Sequence, residues 1–486
     1  MRRMTPLARL ALLVCAAVFA AGACAPGQGP GGQGPGGQGP GGPGPGGQGP
    51  GGQGPGGQGP ANPGPPAPDR GGPDRAAAPQ APVEPDGLPL VLAPSPTARH
   101  YAMRSFSTGL TVDAGGRHWC LVLEVSTVER ARSLVLCRSD DGGASWRRVA
   151  ATPTAWSEFG AIQGEPTADV LHVAWAGRVG DDGFTSALYQ RFDAAAGTFV
   201  GEPEVLQRGS GSQDQFGVAD LGVATDRTVA VVVTTHRQPK QPPWPSGWSS
   251  GLMVRRAHGR EWRGPLPLHT HRYGVWTNLQ VHDGRAHATF RTSPSHSMIG
   301  YRSLALSDLG FEQDEEHEVS VRPDSGLRVA NASSLLVGPF GERTVLYPAG
   351  ADDRGGKGRL LVAHAAPGEP WRTEVLVDDP PLAVGNVAQE HFALVRRPGR
   401  QAIALYSKVR ERHRVLYRRV LEQGRPMEPE RAIARSELPD AYVRVSAMRD
   451  PRLDGPLWAL VSGDGAGAAL GVRAVRAPGT FTARWR

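Results

Sequence analysis

Cysteine is scarce, with four residues in a chain of 486, at positions 15, 24, 120 and 137. That excludes a scaffold stapled by many disulfides and an array of cysteine-bound zinc modules. Aromatic residues supply only 6% of the chain. Beyond the first two dozen residues no apolar run approaches the roughly 20 residues that a membrane-spanning helix needs, so a bundle of such helices is excluded. Apolar residues spaced at helical period are also missing. Long runs of lysine and arginine are absent too. The formal charge of +7 falls by three once Arg2, Arg3 and Arg9 are set aside, and no nucleic-acid partner is expected.

Glycine and proline are abundant, at 66 and 45 residues, and they crowd the front of the chain. Arg2, Arg3 and Arg9 precede the apolar stretch Leu10 to Ala21, which has the length and flanks of a secretory signal. From residue 25 a Gly-Gly-Gln-Gly-Pro repeat runs to about Pro60, followed by a piece rich in proline, alanine and aspartate. Nothing in it can build a packed core, so residues 25–92 are expected to form a disordered stalk with a span of roughly 45 Å. The folded part is expected at 93–486.

Ala21-Gly22-Ala23-Cys24 is similar to a bacterial lipobox, with Cys24 as the lipidated residue. Ala21 stands where that motif usually has leucine, which leaves plain signal cleavage open. Either way the mature protein is expected outside the cytoplasm, as an envelope lipoprotein or secreted, touching a membrane through an N-terminal lipid only.

From Tyr101 onward a weak pattern recurs in phase. Phe159, Phe216 and Tyr273 open successive copies and are 57 residues apart. A second apolar strand pattern follows each opening, as at Val229-Ala230-Val231-Val232-Val233 and Ala402-Ile403-Ala404-Leu405-Tyr406. A third strand then leads to a turn ending on an aromatic residue, as at Trp146, Phe199, Trp262 and Trp371. Four short strands per repeat with glycine turns predict an all-β chain, a seven-bladed β-propeller of four-stranded antiparallel blades, with six blades the alternative count. Radial repetition leaves only short sheet edges exposed.

Within the first copy, pairing residue 125 with 132 puts Cys120 opposite Cys137, and a cross-strand disulfide is expected there, with two buried thiols the alternative. The stretch Ser139-Asp140-Asp141-Gly142-Gly143-Ala144-Ser145-Trp146 reads as a tight turn between strands. The Asp141 carboxylate can accept turn amides, Gly143 can take a positive φ, and Trp146 can fold over the hairpin. Through Ser139, Asp141, Gly143, Ser145 and Trp146 it resembles the Asp-box (BNR repeat) of sialidase-like β-propellers. In that family the box is a structural turn on the lower side of a blade, and ligands meet the upper side.

The resemblance directs attention to the upper face, where inner strands begin and the loops between second and third strands lie. Such sialidases hold a sugar carboxylate with three arginines and use a tyrosine nucleophile activated by a glutamate. Guanidinium forks suit a carboxylate, and a phenolic nucleophile avoids charge repulsion with it. The resemblance implies Arg104, Arg328 and Arg444 as the carboxylate grip, with Arg272 and Tyr273 nearby, Tyr442 as nucleophile and Glu390 as its base. The family's Arg-Ile-Pro is missing at Arg104, which is followed by Ser105-Phe106. A water-filled channel lined by polar residues without chemistry is the alternative. Trp244 and Trp248, in a proline-stiffened middle loop, are candidate platforms for sugar rings or a protein. The expected function is binding of a glycan or protein ligand, with an exo-sialidase-like hydrolase as the alternative; no cofactor or metal is expected, and the protein is expected to be a monomer.

Overall fold

The computed structural model describes residues 90–92 and most of 97–485, the longest undescribed intervals being 237–248 and 379–391. The predicted signal, Cys24 and the stalk up to residue 89 lie outside the described residues. All regular structure described is β-strand, and the strands fall into seven sheets. Six sheets are laid down one after another, five by the single runs 98–151, 155–207, 215–267, 275–318 and 328–377 and the sixth mainly by 392–436. The remaining sheet is composite. Its strands Tyr442–Ala447, Leu457–Asp464 and Val472–Ala477 are completed by Leu90–Leu92, which pairs antiparallel with Val472–Ala477.

Two expectations are corrected by this arrangement. In place of the seven blades expected there are six, the alternative count, together with one composite sheet closed from both ends of the fold. Leu90–Leu92 belongs to that sheet and not to the stalk, because Leu-Val-Leu is an apolar triplet that can cover an open edge. A further departure is Ala483–Trp485, which adds to the sixth sheet as a parallel neighbour of Arg431–Ser436.

The innermost strands pack in sequence around the ring. Gln215–Val223 touches both Ala155–Gly164 and Val275–His282, the latter touches Ser334–Val337, and Phe392–Arg396 touches Tyr442–Ala447. Leu457–Asp464 meets Ala98–Ala102, bringing the last sheet onto the first.

At five junctions among the described residues, the edge of an inner strand that no ladder covers is met by a polar side chain of the neighbouring blade. The Gly164 N–H donates to Thr111 Oγ1 at 2.9 Å. Val223 donates to Gln163 Oε1 at 3.1 Å, and Leu279 to Asp220 Oδ2 at 2.8 Å. Leu335 donates to Asn278 Oδ1 at 3.2 Å, and Leu394 to Ser334 Oγ at 3.0 Å. Polar side chains of one inner strand thus receive amides of the next blade, and Val275–His282 supplies a second, Gln280 Oε1, which accepts the Val337 N–H at 2.5 Å. The first five pairs are 53, 60, 59, 57 and 60 residues apart, so the repeat seen in the sequence is also the spacing of these bonds.

The aromatic residues that close the third-strand turns lock blade to blade. Trp262 meets Tyr189 of the preceding blade edge-on at 4.9 Å, and Arg255 lies 4.6 Å from the Tyr189 ring and 4.7 Å from the Trp262 ring. The same arrangement recurs two blades on. Trp371 meets Tyr301 at 5.3 Å, with Arg343 at 5.4 Å from both rings. Stacked guanidinium and edge-to-face rings join neighbouring sheets through shape as well as apolar area.

Cys120 and Cys137 pair in register, as expected, and both are buried free thiols, so no bridge joins them. The alternation of the ladder explains this. Ser126 N–H donates to Ala131 O in the same hairpin, and counting back by twos makes Cys120 and Cys137 a hydrogen-bonded pair. Cβ atoms in such pairs lie near the wide end of about 4.5–5.5 Å, whereas a disulfide wants about 3.5–4.5 Å.

Candidate functional site

Strand register defines the two ends of the ring. Ala98, Arg328 and Tyr442 begin inner strands and pair with Ser126, Gly350 and Asp464, the last residues of the second strands. Inner-strand starts and the loops that follow second strands therefore share one end. Arg328 opens the inner strand of the fifth sheet, and Tyr442 and Arg444 occupy alternate positions of the inner strand of the composite sheet.

Other expected site residues flank these elements in sequence. Arg272 and Tyr273 shortly precede the strand Val275–His282, Glu390 shortly precedes Phe392–Arg396, and Trp244 and Trp248 fall between Val229–His236 and Ser249–Arg255. These five lie outside the described residues. So does Arg104, but its place in the chain corrects an expectation. The inner strand of the first sheet already starts at Ala98 and is broken into Ala98–Ala102 and Leu110–Val112, so Arg104 falls within the break and not at the strand opening.

The break has a structural use. Ser107 Oγ donates to Ala219 O at 2.6 Å and the Thr108 N–H to Asp220 Oδ1 at 2.8 Å, joining the first sheet to the third across the sheet between them. Ile162 of that intervening sheet donates to Thr108 O at 2.9 Å. Asp220 is completely buried. Its Oδ1 also accepts the Leu221 N–H at 2.9 Å, while Oδ2 accepts Leu279 of the fourth sheet. This carboxylate ties three sheets together, with both of its oxygens bonded to amides. It was not among the expected site residues. The signal was there: one aspartate inside Phe216-Gly217-Val218-Ala219-Asp220-Leu221, an otherwise apolar inner strand.

At the opposite end sits the turn 139–146. Asp141 Oδ1 accepts the Ser139 hydroxyl and the Ser145 N–H, both at 2.8 Å, and Oδ2 accepts the Ser145 hydroxyl at 2.5 Å. The Gly143 N–H donates to Ser139 Oγ at 2.7 Å, and Gly143 adopts φ 91°. Trp146 Nε1–H donates to Gly143 O at 3.1 Å, and its ring packs on the core that holds Cys120 and Cys137. The Ser139, Asp141 and Ser145 side chains are thus bonded to one another and to amides of the turn.

These bonds to the Ser145 hydroxyl and amide and the Ser139 hydroxyl pull the Asp141 carboxyl down from 3.8 to about 2. A depressed carboxyl contributes stability that is complete above its unfolded pKa and vanishes as pH falls to the folded value. The turn is therefore expected to hold unchanged above pH 4 and to loosen only toward about pH 2. NMR titration of Asp141 checks this, with a midpoint near 4 being the contrary result.

No protein-family model and no curated protein matches the chain. Among solved structures it is similar to an ulvan lyase, a polysaccharide lyase captured with -[GlcA(1-4)Rha3S]-, at 11% identity and a TM-score of 0.50, over 82% of this chain and 95% of that one. The shared feature is the β-propeller scaffold. A second polysaccharide lyase matches at 10% identity and a TM-score of 0.48, over 82% and 94% of the two chains. A Hadza microbial sialidase matches at 13% identity and a TM-score of 0.41, and this chain spans 63% of its length. At such identities the likeness speaks for the scaffold alone.

Proposed function

We propose that this protein is exported, tethered through a lipid on Cys24 behind a stalk that ends before Leu90, and binds a glycan or protein ligand through the end of the ring where the inner strands begin. The observation that carries this reading is backbone position. Arg328, Tyr442 and Arg444 lie on two inner strands at one end of the ring. In the sequence, Arg272, Tyr273 and Glu390 precede two more inner strands, and Trp244 and Trp248 fall between a second strand and a third. Two guanidinium groups and flanking aromatic residues are the equipment for an acidic sugar, through paired bonds to its carboxylate and stacking on its ring. The solved propellers similar in fold include enzymes acting on sugars, which supports a glycan-related role.

A second reading, hydrolysis of anionic sugars, is favoured by one detail. The strand Phe392–Arg396, shortly after Glu390, packs beside Tyr442–Ala447, so the expected base and nucleophile come from adjoining segments of neighbouring sheets.

Calorimetric titration of the full chain with sialyllactose and with an oligoglucuronate tests the binding role. Binding of at least one is expected, weakened about tenfold or more, some 1.4 kcal/mol, by Arg328→Ala and by Arg444→Ala. Failure of both probes, or variants that bind as the parent does, would overturn the acidic-glycan assignment. A fluorogenic sialoside separates the two readings. Turnover abolished by Tyr442→Phe establishes the hydrolase, and no turnover alongside retained binding leaves the ligand-binding reading standing.

A further inference from the structure

The end opposite the proposed ligand face carries a groove of about 410 Å³ between the turns of the fifth and sixth sheets. Its size falls within the range of small-molecule sites. Phe340, at the first turn of the fifth sheet, is 62% exposed, a high value for an aromatic ring. Arg400 of the sixth sheet lies 5.1 Å from the centre of that ring. Across the groove Arg425 Nε bonds Glu374 Oε1 at 3.2 Å, and Arg372 stands 3.7 Å from Glu369. Glu342 lines it too, only 8% exposed, with Oε2 accepting the Phe340 N–H at 3.0 Å and Oε1 buried without a hydrogen-bond partner.

The two sheets meet closely beneath it. Gly424 adopts φ 78°, and a Cβ there would stand 2.5 Å from His364 Cβ, so only glycine lets this turn approach the fifth sheet. The groove is thus held by backbone fit.

Its chemistry selects a ligand class. Glu342, Glu369 and Glu374 balance Arg372, Arg400 and Arg425, and burial keeps the His364 imidazole below its usual pKa and so uncharged. A lining without net charge offers no surplus to an anion or a cation. It offers carboxylate acceptors, guanidinium donors and one flat apolar ring within a single groove. A hydroxyl both donates and accepts, and the C–H face of a sugar ring suits an exposed aromatic face.

We propose that this groove is a second binding site, for a neutral saccharide, with Phe340 as the stacking platform and Arg400 with Glu374 bonding the sugar hydroxyls. It shares no residue with the acidic-glycan face and stands or falls apart from it.

Saturation-transfer NMR and calorimetry on the full chain, with short cello-, xylo- and arabino-oligosaccharides as probes, test the assignment. At least one probe is expected to bind, with Phe340→Ala and Arg400→Ala each weakening it about tenfold and Arg444→Ala leaving it unchanged. Both groove residues are exposed, and thermal melting verifies that the variants fold. The proposal is overturned if none of these probes binds, if binding persists undiminished in both groove variants, or if Phe340→Ala and Arg400→Ala affect only an oligoglucuronate.

Discussion

Asp220→Ala is expected to unfold the propeller or leave it barely folded. The carboxylate is fully buried and accepts the amides of Thr108, Leu221 and Leu279 at 2.8, 2.9 and 2.8 Å. An alanine side chain has no acceptor, and Thr108, Leu221 and Leu279 are all buried. Each buried amide left without a partner costs about 1–3 kcal/mol, so for three amides a loss on the order of 3–9 kcal/mol follows. That is a large share of the roughly 5–15 kcal/mol by which a folded domain is stable. Asp220→Asn retains one carbonyl oxygen and is expected to fall between the two. Urea unfolding checks the order; an alanine variant within about 1 kcal/mol of the parent would remove Asp220 from its place as the tie between sheets.

Gly164→Ala is expected to be the second most damaging of the substitutions considered. A Cβ at this inner-strand position would lie 2.4 Å from Val112 O, 3.2 Å from Val112 C and 3.4 Å from Asp113 Cα. All three are backbone atoms of the neighbouring blade, and no rotamer change relieves the clash. Forcing the strands apart also stretches the Gly164 N–H bond to Thr111. Overpacking of this kind costs about 1–3 kcal/mol, more where a hydrogen bond is lost with it. Gly217→Ala is the matched control. It too sits on an inner strand, but the added methyl would come no nearer than 3.4 Å to Thr234 Oγ1. There the reduced freedom of the unfolded chain leads to a neutral or slightly stabilising result. Thermal unfolding of the two variants side by side decides the matter, and equal melting temperatures would mean that the strands yield.

What was legible in the sequence is what short-range pattern can carry. The recurrence of opening residues at 57 gives the blade step, the Cys120–Cys137 register follows from one hairpin, and the turn at 139–146 is written by eight consecutive residues. What was illegible depends on pairing between distant parts of the chain. Nothing local marks Leu90–Leu92 as a strand for Val472–Ala477, since three apolar residues after a long proline-rich stretch look like its tail. The broken inner strand of the first sheet was also hidden, because Met103–Gly109 carries no strand alternation that shows where pairing stops and resumes. That gap is why Arg104 does not align with the openings that hold Arg328 and Tyr442. The bridge between the cysteines failed on a finer point still, the hydrogen-bonding parity of one ladder.

Amide hydrogen exchange at the inner-strand edges tests most directly the claim that polar side chains latch neighbouring blades together at these five junctions. Gly164, Val223, Leu279, Leu335 and Leu394 have no ladder partner on that side, and their amides are held by Thr111, Gln163, Asp220, Asn278 and Ser334. These five are expected to exchange as slowly as amides of the central strands, and Gln163→Ala to release Val223 first. Exchange of all five at the rate of exposed turn amides would contradict the latched ring.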